Sequence, residues 1–198
     1  MKQFSLILLL LFSSTTFAQN DATVVEETWE TLLAKGRQFR ERANSFRALE
    51  YLERAERMFF EENPEERTDS LSGTGKTIRR ELAQTYFARG KFQKCIDLCR
   101  TVLYPDTLDA DLYLMARSFE KMERTDSAFV YQYMVAERNI ENYNNLVSLA
   151  GTLIANEQPE DALELLNAYC EIDSTNLSVN TVKAYALHQA KRFKEAIA

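Results

Sequence analysis

The chain has 198 residues, with 24 Lys and Arg against 30 Asp and Glu, and its net charge of -6 with interspersed signs argues against a nucleic-acid partner. One histidine and three cysteines are too few to assemble a ligand set or a catalytic constellation, so no metal, no cofactor and no enzymatic activity are expected. Five Gly and three Pro leave little material for turns, and the abundance of Ala, Leu, Glu, Arg and Tyr favours helix over sheet.

At the N-terminus Lys2 precedes the apolar run Leu6 to Phe12, and a small, polar stretch leads on to Thr16-Phe17-Ala18. This is the pattern of a secretory signal peptide over residues 1–18, with removal expected after Ala18. The run is far shorter than the roughly 20 apolar residues that span a bilayer, so no membrane span is expected in this chain. The first cysteine is Cys95, so no thiol lies near the new N-terminus to take a lipid. A soluble exported protein, periplasmic or otherwise extracytoplasmic, is the expectation. Residues 19–28 form a short lead before the first periodic segment.

From there the chain repeats itself. Small residues Gly36, Ala83, Ala116, Ala150 and Ala184 are each followed three places later by a large one: Phe39, Tyr86, Phe119, Leu153 and Leu187. Twelve places after each comes a second small residue: Ala48, Cys95, Ala128, Ala162 and Ala196. The steps between units are 47, 33, 34 and 34 residues. Second small residues open apolar stripes at helical spacing, as in Ala48-Leu49-Leu52-Ala55, Cys95-Ile96-Cys99-Val102 and Ala162-Leu163-Leu166-Tyr169. Each unit is thus two amphipathic helices. Antiparallel helices pack tightly only where facing side chains are small, and a large residue one turn away fills the neighbouring hole. A lone pair leaves one face wet, and stacking further pairs buries it.

These units resemble tetratricopeptide repeats. The resemblance is plainest in Leu82-Ala83 with Tyr86, Gly90-Lys91-Phe92, Cys95-Ile96 and Cys99, and in Leu146, Leu149-Ala150, Pro159 to Leu163 and Leu166. It covers residues 29–198 as repeats of about 29–60, 76–108, 109–142, 143–176 and an incomplete 177–198, with 61–75 as an inserted loop. The sequence departs from the family pattern at Cys95, where alanine is usual. It departs again before Ala48, where an aromatic is missing, and at Glu123 and Glu157, where a turn glycine is common.

The resemblance implies an all-α, right-handed solenoid of antiparallel helix pairs whose first helices line a concave groove. The residue after each small position would face that groove: Arg37, Gln84, Arg117, Gly151 and Tyr185. The residues three before and four after add Leu33, Arg40, Arg80, Phe87, Tyr113, Glu120, Val147, Ile154, Thr181 and His188. Such a groove is arginine-rich and aromatic in its N-terminal half and apolar in its C-terminal half. Arginine forks and aromatic faces suit carboxylates and extended peptides, so the expected partner is an acidic, partly apolar segment of another protein. The Lys and Asn pattern by which heat-shock-tail binders of this family clamp a terminal carboxylate is not reproduced at Leu33 and Arg37. The implied role is an interaction scaffold or adaptor. The alternative is the sensory input domain of a larger membrane-bound regulator, and a third reading places catalysis in a further C-terminal domain.

Three smaller features complete the reading. Ser70 to Thr77 resembles a phosphate-binding loop, but serine replaces its first glycine and no buried strand precedes it, so a flexible loop is expected. Cys95 and Cys99 are one helical turn apart with roughly parallel side chains, which disfavours a disulfide and favours burial as small hydrophobes; Cys170 lies in the same kind of stripe. Lys191 to Ala198 begins a second helix and stops about a turn in, so a continuation of the chain is expected.

Overall fold

The computed structural model describes residues 27–67, 71, 73–103 and 107–196. The signal peptide expected over 1–18 and nearly all of the lead lie outside them. The described residues form ten α-helices and one short 3-10 turn, Pro64–Arg67. The helices are α1 (Trp29–Glu41), α2 (Ser45–Glu62), α3 (Gly73–Ala88), α4 (Phe92–Val102), α5 (Asp109–Lys121), α6 (Thr125–Arg138), α7 (Tyr143–Ala155), α8 (Pro159–Cys170), α9 (Leu177–Gln189) and α10 (Phe193–Ala196).

Local chemistry sets the starts of several helices. Thr28 and Thr31 form a reciprocal capping box on α1. Asn44, Asn142 and Asn176 accept the orphan backbone N–H groups of α2, α7 and α9. Pro159 opens α8, where its missing N–H costs nothing.

The ends of the first helices share one device. The residue seven places after each first small position has positive φ: Ala43 (57°), Gly90 (70°), Glu123 (58°), Glu157 (62°) and Lys191 (61°). The following N–H then closes back on the large residue of the first helix, as in Asn44 to Phe39, Lys91 to Tyr86, Arg124 to Phe119, Gln158 to Leu153 and Arg192 to Leu187. This is the left-handed cap that satisfies the last carbonyls of a helix. Only Gly90 reaches that conformation without steric cost.

Consecutive helices pack along the whole array, and first helices also touch one another at α1–α3, α3–α5 and α7–α9. Elements that meet across an intervening helix lie on the inner side of a curve, so the first helices form the concave wall of an all-α solenoid. Gly36, Ala48, Ala83, Cys95, Ala116, Ala128, Ala150 and Ala162 are all buried at the crossings. Ala184 and Ala196 are only half-buried, because among the described residues no further helix packs on the far side of α9 and α10. Large side chains such as Leu32, Leu52, Leu82 and Leu149 fill the holes between them. Burying each contributes about 1.5–3 kcal/mol relative to exposure.

Two differences from the sequence reading concern the stretch 61–75. Helix α2 runs on to Glu62 and α3 begins at Gly73, so helix occupies both ends of the expected loop. Gly73 to Thr77, part of the phosphate-loop resemblance, form the first turn of α3, where Thr77 Oγ1 donates to the Gly73 carbonyl at 2.7 Å. Ser70 and Ser72 lie outside the described residues. The reason for the helix is packing: a Cβ at Gly75 would come within 2.8 Å of Leu71 and Glu66 and 3.4 Å of Phe59, and Lys76 is buried.

The core is in two parts. One runs from Leu32 to Ala128 and the other from Ala136 to Leu187. Between them lies a polar seam in which the Gln132 side-chain amide donates to Glu120 and, at 3.1 Å, to Ser148 Oγ. The Ser148 hydroxyl also donates to Glu120, and Asn145 Nδ2 donates to the Gln132 carbonyl at 2.8 Å.

Candidate functional site, the inner wall of first helices

Ion pairs join successive first helices of the concave wall at two steps, α1 to α3 and α3 to α5. Arg37 and Arg40 on α1 both bring Nε to 2.8 Å from Glu81 on α3, one to each carboxylate oxygen. One helix along, Arg80 makes a forked contact with Asp111 on α5, Nε lying 2.9 and 3.1 Å from its two oxygens and Nη2 2.9 Å from Oδ2. On α5, Arg117 donates to the Tyr113 hydroxyl at 3.0 Å and has Nε 3.0 Å from Glu120. Glu120 reaches onward to Ser148 on α7. Desolvated carboxylates and planar guanidinium forks favour such pairs.

Charge along the wall is therefore uneven. Arg80 with Asp111, and Arg117 with Glu120, are neutral couples. Arg37, Arg40 and Glu81 are two cations on one anion, so this triad carries one positive charge in excess. The Arg37 side chain is 41% exposed and that of Glu81 13%, so the excess faces solvent while the carboxylate is shielded. Gln84 lies exposed on α3, and Phe87 is half-buried with its ring edge-on to Phe92 at 5.5 Å between centroids.

The other end of the wall is different in kind. Gly151, Thr181 and His188 are exposed, and Tyr185 is 54% exposed. Leu33 and Ile154 are buried and Val147 half-buried, so these three contribute to packing between helices rather than to an open surface. The His188 ring meets Phe193 edge-on at 5.4 Å.

Glu81 and Asp111 are the wall residues that sequence reasoning missed. Glu81 stands two places before its small residue and Asp111 five before, so no shared register marks them. Among the described residues no group of three or more His, Cys, Asp or Glu could hold a metal, and no helix is long and apolar enough to cross a membrane. Cys95, Cys99 and Cys170 are free thiols, the first two buried.

An inner wall of stacked helix pairs with one repeated cap is the architecture of helical-repeat proteins. The fold is that of tetratricopeptide-repeat structures. A structure of MamA (AMB-1) superposes with a TM-score of 0.68 at 18% identity, over 85% of each chain. A tetratricopeptide repeat protein from Parabacteroides merdae ATCC 43184 gives a TM-score of 0.70 at 15% identity, over 85% of this chain and 62% of that one. The APC/C hetero-tetramer Cut9-Hcn1 gives 0.62 at 17% identity, over 81% of this chain and 30% of the other. No protein-family model matches the chain, and no curated protein does.

Proposed function

We propose that this chain is an exported protein-interaction scaffold whose concave wall holds an acidic, partly apolar segment of a partner protein. The observation that carries the reading is the surplus positive charge of Arg37 and Arg40 over Glu81 at the α1–α3 end of the wall. A carboxylate arriving there meets guanidinium groups already aligned by Glu81, so little side-chain freedom is lost on binding. The uncharged far end, with Tyr185 exposed, suits the apolar part of the same segment. A partner role agrees with the fold's occurrence in the Cut9-Hcn1 assembly. Export rests on the sequence of residues 1–18 and is tested by N-terminal sequencing of the mature protein, which should begin at Gln19.

The ligand reading is tested by affinity capture from an envelope extract with wild type and Arg37→Glu. That change turns the triad's excess from one positive to one negative charge while Glu81 keeps Arg40. Partners should be lost from the variant, and more completely at low than at moderate salt. Equal capture by both proteins at both salt concentrations would rule out this end of the wall as the binding surface. Arg80→Glu is a poorer probe, since it would set a second carboxylate against buried Asp111 and disturb the fold.

A further inference from the structure

We infer that the outer face between α6 and α8 is a second docking site, shaped for a basic amphipathic helix of a partner protein. A cleft of about 470 Å³ opens there, floored by Leu149 and Leu153 of α7 and walled by Phe129 and Tyr133 of α6 and Leu165 of α8. Its rim carries Asp161 and Glu164, and no basic residue lines it.

The same position two repeats earlier also holds clefts, of about 530 and 320 Å³, but there acidic, basic and aromatic side chains are paired with one another. Between α2 and α4, Tyr86 donates to Glu53 at 2.5 Å, Lys94 lies 5.1 Å above the Tyr86 ring, and Arg79 lies 3.6 Å from Glu56 and 4.8 Å from the Phe60 ring centre. Counted from the repeat's small residues, Tyr133 takes the place of Glu53, Leu153 of Tyr86, Asp161 of Lys94 and Glu164 of Asp97. The first three replacements remove the groups that make the Tyr86–Glu53 and Lys94–Tyr86 contacts, while Glu164 keeps the acid of Asp97. What remains is an apolar floor with acid above it: Asp161 accepts from its neighbour Gln158, at 3.1 Å, and among the described residues neither Asp161 nor Glu164 makes an ion pair.

Helix α6 extends this surface. Val130 (55% exposed), Tyr133 (51%) and Met134 (40%) follow one another at helical spacing. Asp126 and Glu137, both exposed, bracket them one turn before and one turn after. A helix apolar on its outer as well as its inner face is one that something covers. Charge decides what kind of cover fits, because a helix with Lys or Arg flanking its apolar anchors meets opposite charge at Asp126, Glu137, Asp161 and Glu164. An acidic or neutral partner would leave those carboxylates facing like charge or none.

The test uses the purified protein and two 18-residue peptides, one with Leu at helical a/d/e spacing and Lys elsewhere, the other with Glu in place of Lys. Binding is read by fluorescence anisotropy. The Leu/Lys peptide should bind wild type at least tenfold more tightly than it binds Asp161→Lys/Glu164→Lys, whereas the Leu/Glu peptide, which the inner wall also suits, should bind that variant more tightly than wild type. Tyr133→Ala should weaken the Leu/Lys peptide severalfold. All three changed residues are exposed, and circular dichroism checks that each variant stays folded. Equal Leu/Lys affinity for wild type and the charge-reversed variant would overturn the inference. So would sedimentation showing a dimer that Tyr133→Glu converts to monomer, since a second copy would then be the cover.

Discussion

Gly36 on α1 and Leu52 on α2 approach so closely that a Cβ at position 36 would stand 2.6 Å from the Leu52 side chain. Leu52 is fully buried and cannot move aside. Gly36→Ala should therefore destabilise the protein by about 1–2 kcal/mol, overpacking outweighing the gain in helix propensity. Gly151→Ala is the control: it is also helical, but nothing lies within 4 Å of its added Cβ, so it should stabilise by about 0.5–1 kcal/mol. Urea unfolding of both variants measures the contrast, and a stabilising Gly36→Ala would contradict the close approach.

Glu123 and Glu157 hold the left-handed cap conformation that Gly90 holds in the second repeat. A side chain there costs about 1–2 kcal/mol, part of which glycine gives back as entropy in the unfolded chain. Glu157→Gly should gain about 0.5–1 kcal/mol, a rise in melting temperature of a few degrees. Gly90→Ala should lose about 1 kcal/mol. A lower melting temperature for Glu157→Gly would mean that the glutamate side chain contributes more than its backbone strain.

Cys95 accepts a hydrogen bond from Ser118 Oγ at 3.3 Å, and Cys99 lies buried one turn on. Its hydrogen bond to Cys95, together with burial, holds the Cys99 thiol far above its ordinary range. The reactive species is the thiolate. Native protein treated with iodoacetamide at mildly alkaline pH should leave Cys99 unmodified, with half-buried Cys170 the more accessible thiol, and all three should react after denaturation. Rapid native labelling of Cys99, read by peptide mass spectrometry, would refute the assignment.

Burial raises the Glu56 carboxyl above its ordinary value of 4.5, although neighbouring Arg79 pulls the other way. The folded chain then holds this proton more tightly than the unfolded chain does. Between the ordinary and the raised value the folded state binds more protons, so this group's contribution to stability falls as pH rises through that window. Below it, Glu56→Gln should melt with wild type; above it, at neutral pH, the variant should melt higher. Melting curves from pH 3.5 to 7 test the sign, and a variant that loses ground as pH rises would show that the Arg79 pair outweighs desolvation.

The helix pairs were legible in the sequence because helix crossings impose a local rule. Gly36, Ala83, Ala116, Ala150 and their partners twelve residues on had to be small wherever two helix axes approach, and that requirement recurs at the period of the repeat. The cap at Gly90 was legible for a similar reason, and the same register carries it to Glu123 and Glu157. The ion pairs of the inner wall were not. Arg37 finds Glu81 across 44 residues and Arg80 finds Asp111 across 31, and a long flexible side chain can reach partners at several registers, so no spacing marks the choice. The same holds for the outer cleft, where Leu149, Leu153, Tyr133 and Glu164 come from three helices. Sequence determined where the backbone must pack closely, because volume is fixed residue by residue. Only the tertiary structure decided which arginine keeps surplus charge and which cleft carries acid without a basic partner, because charge pairing depends on distances between helices that periodicity does not encode.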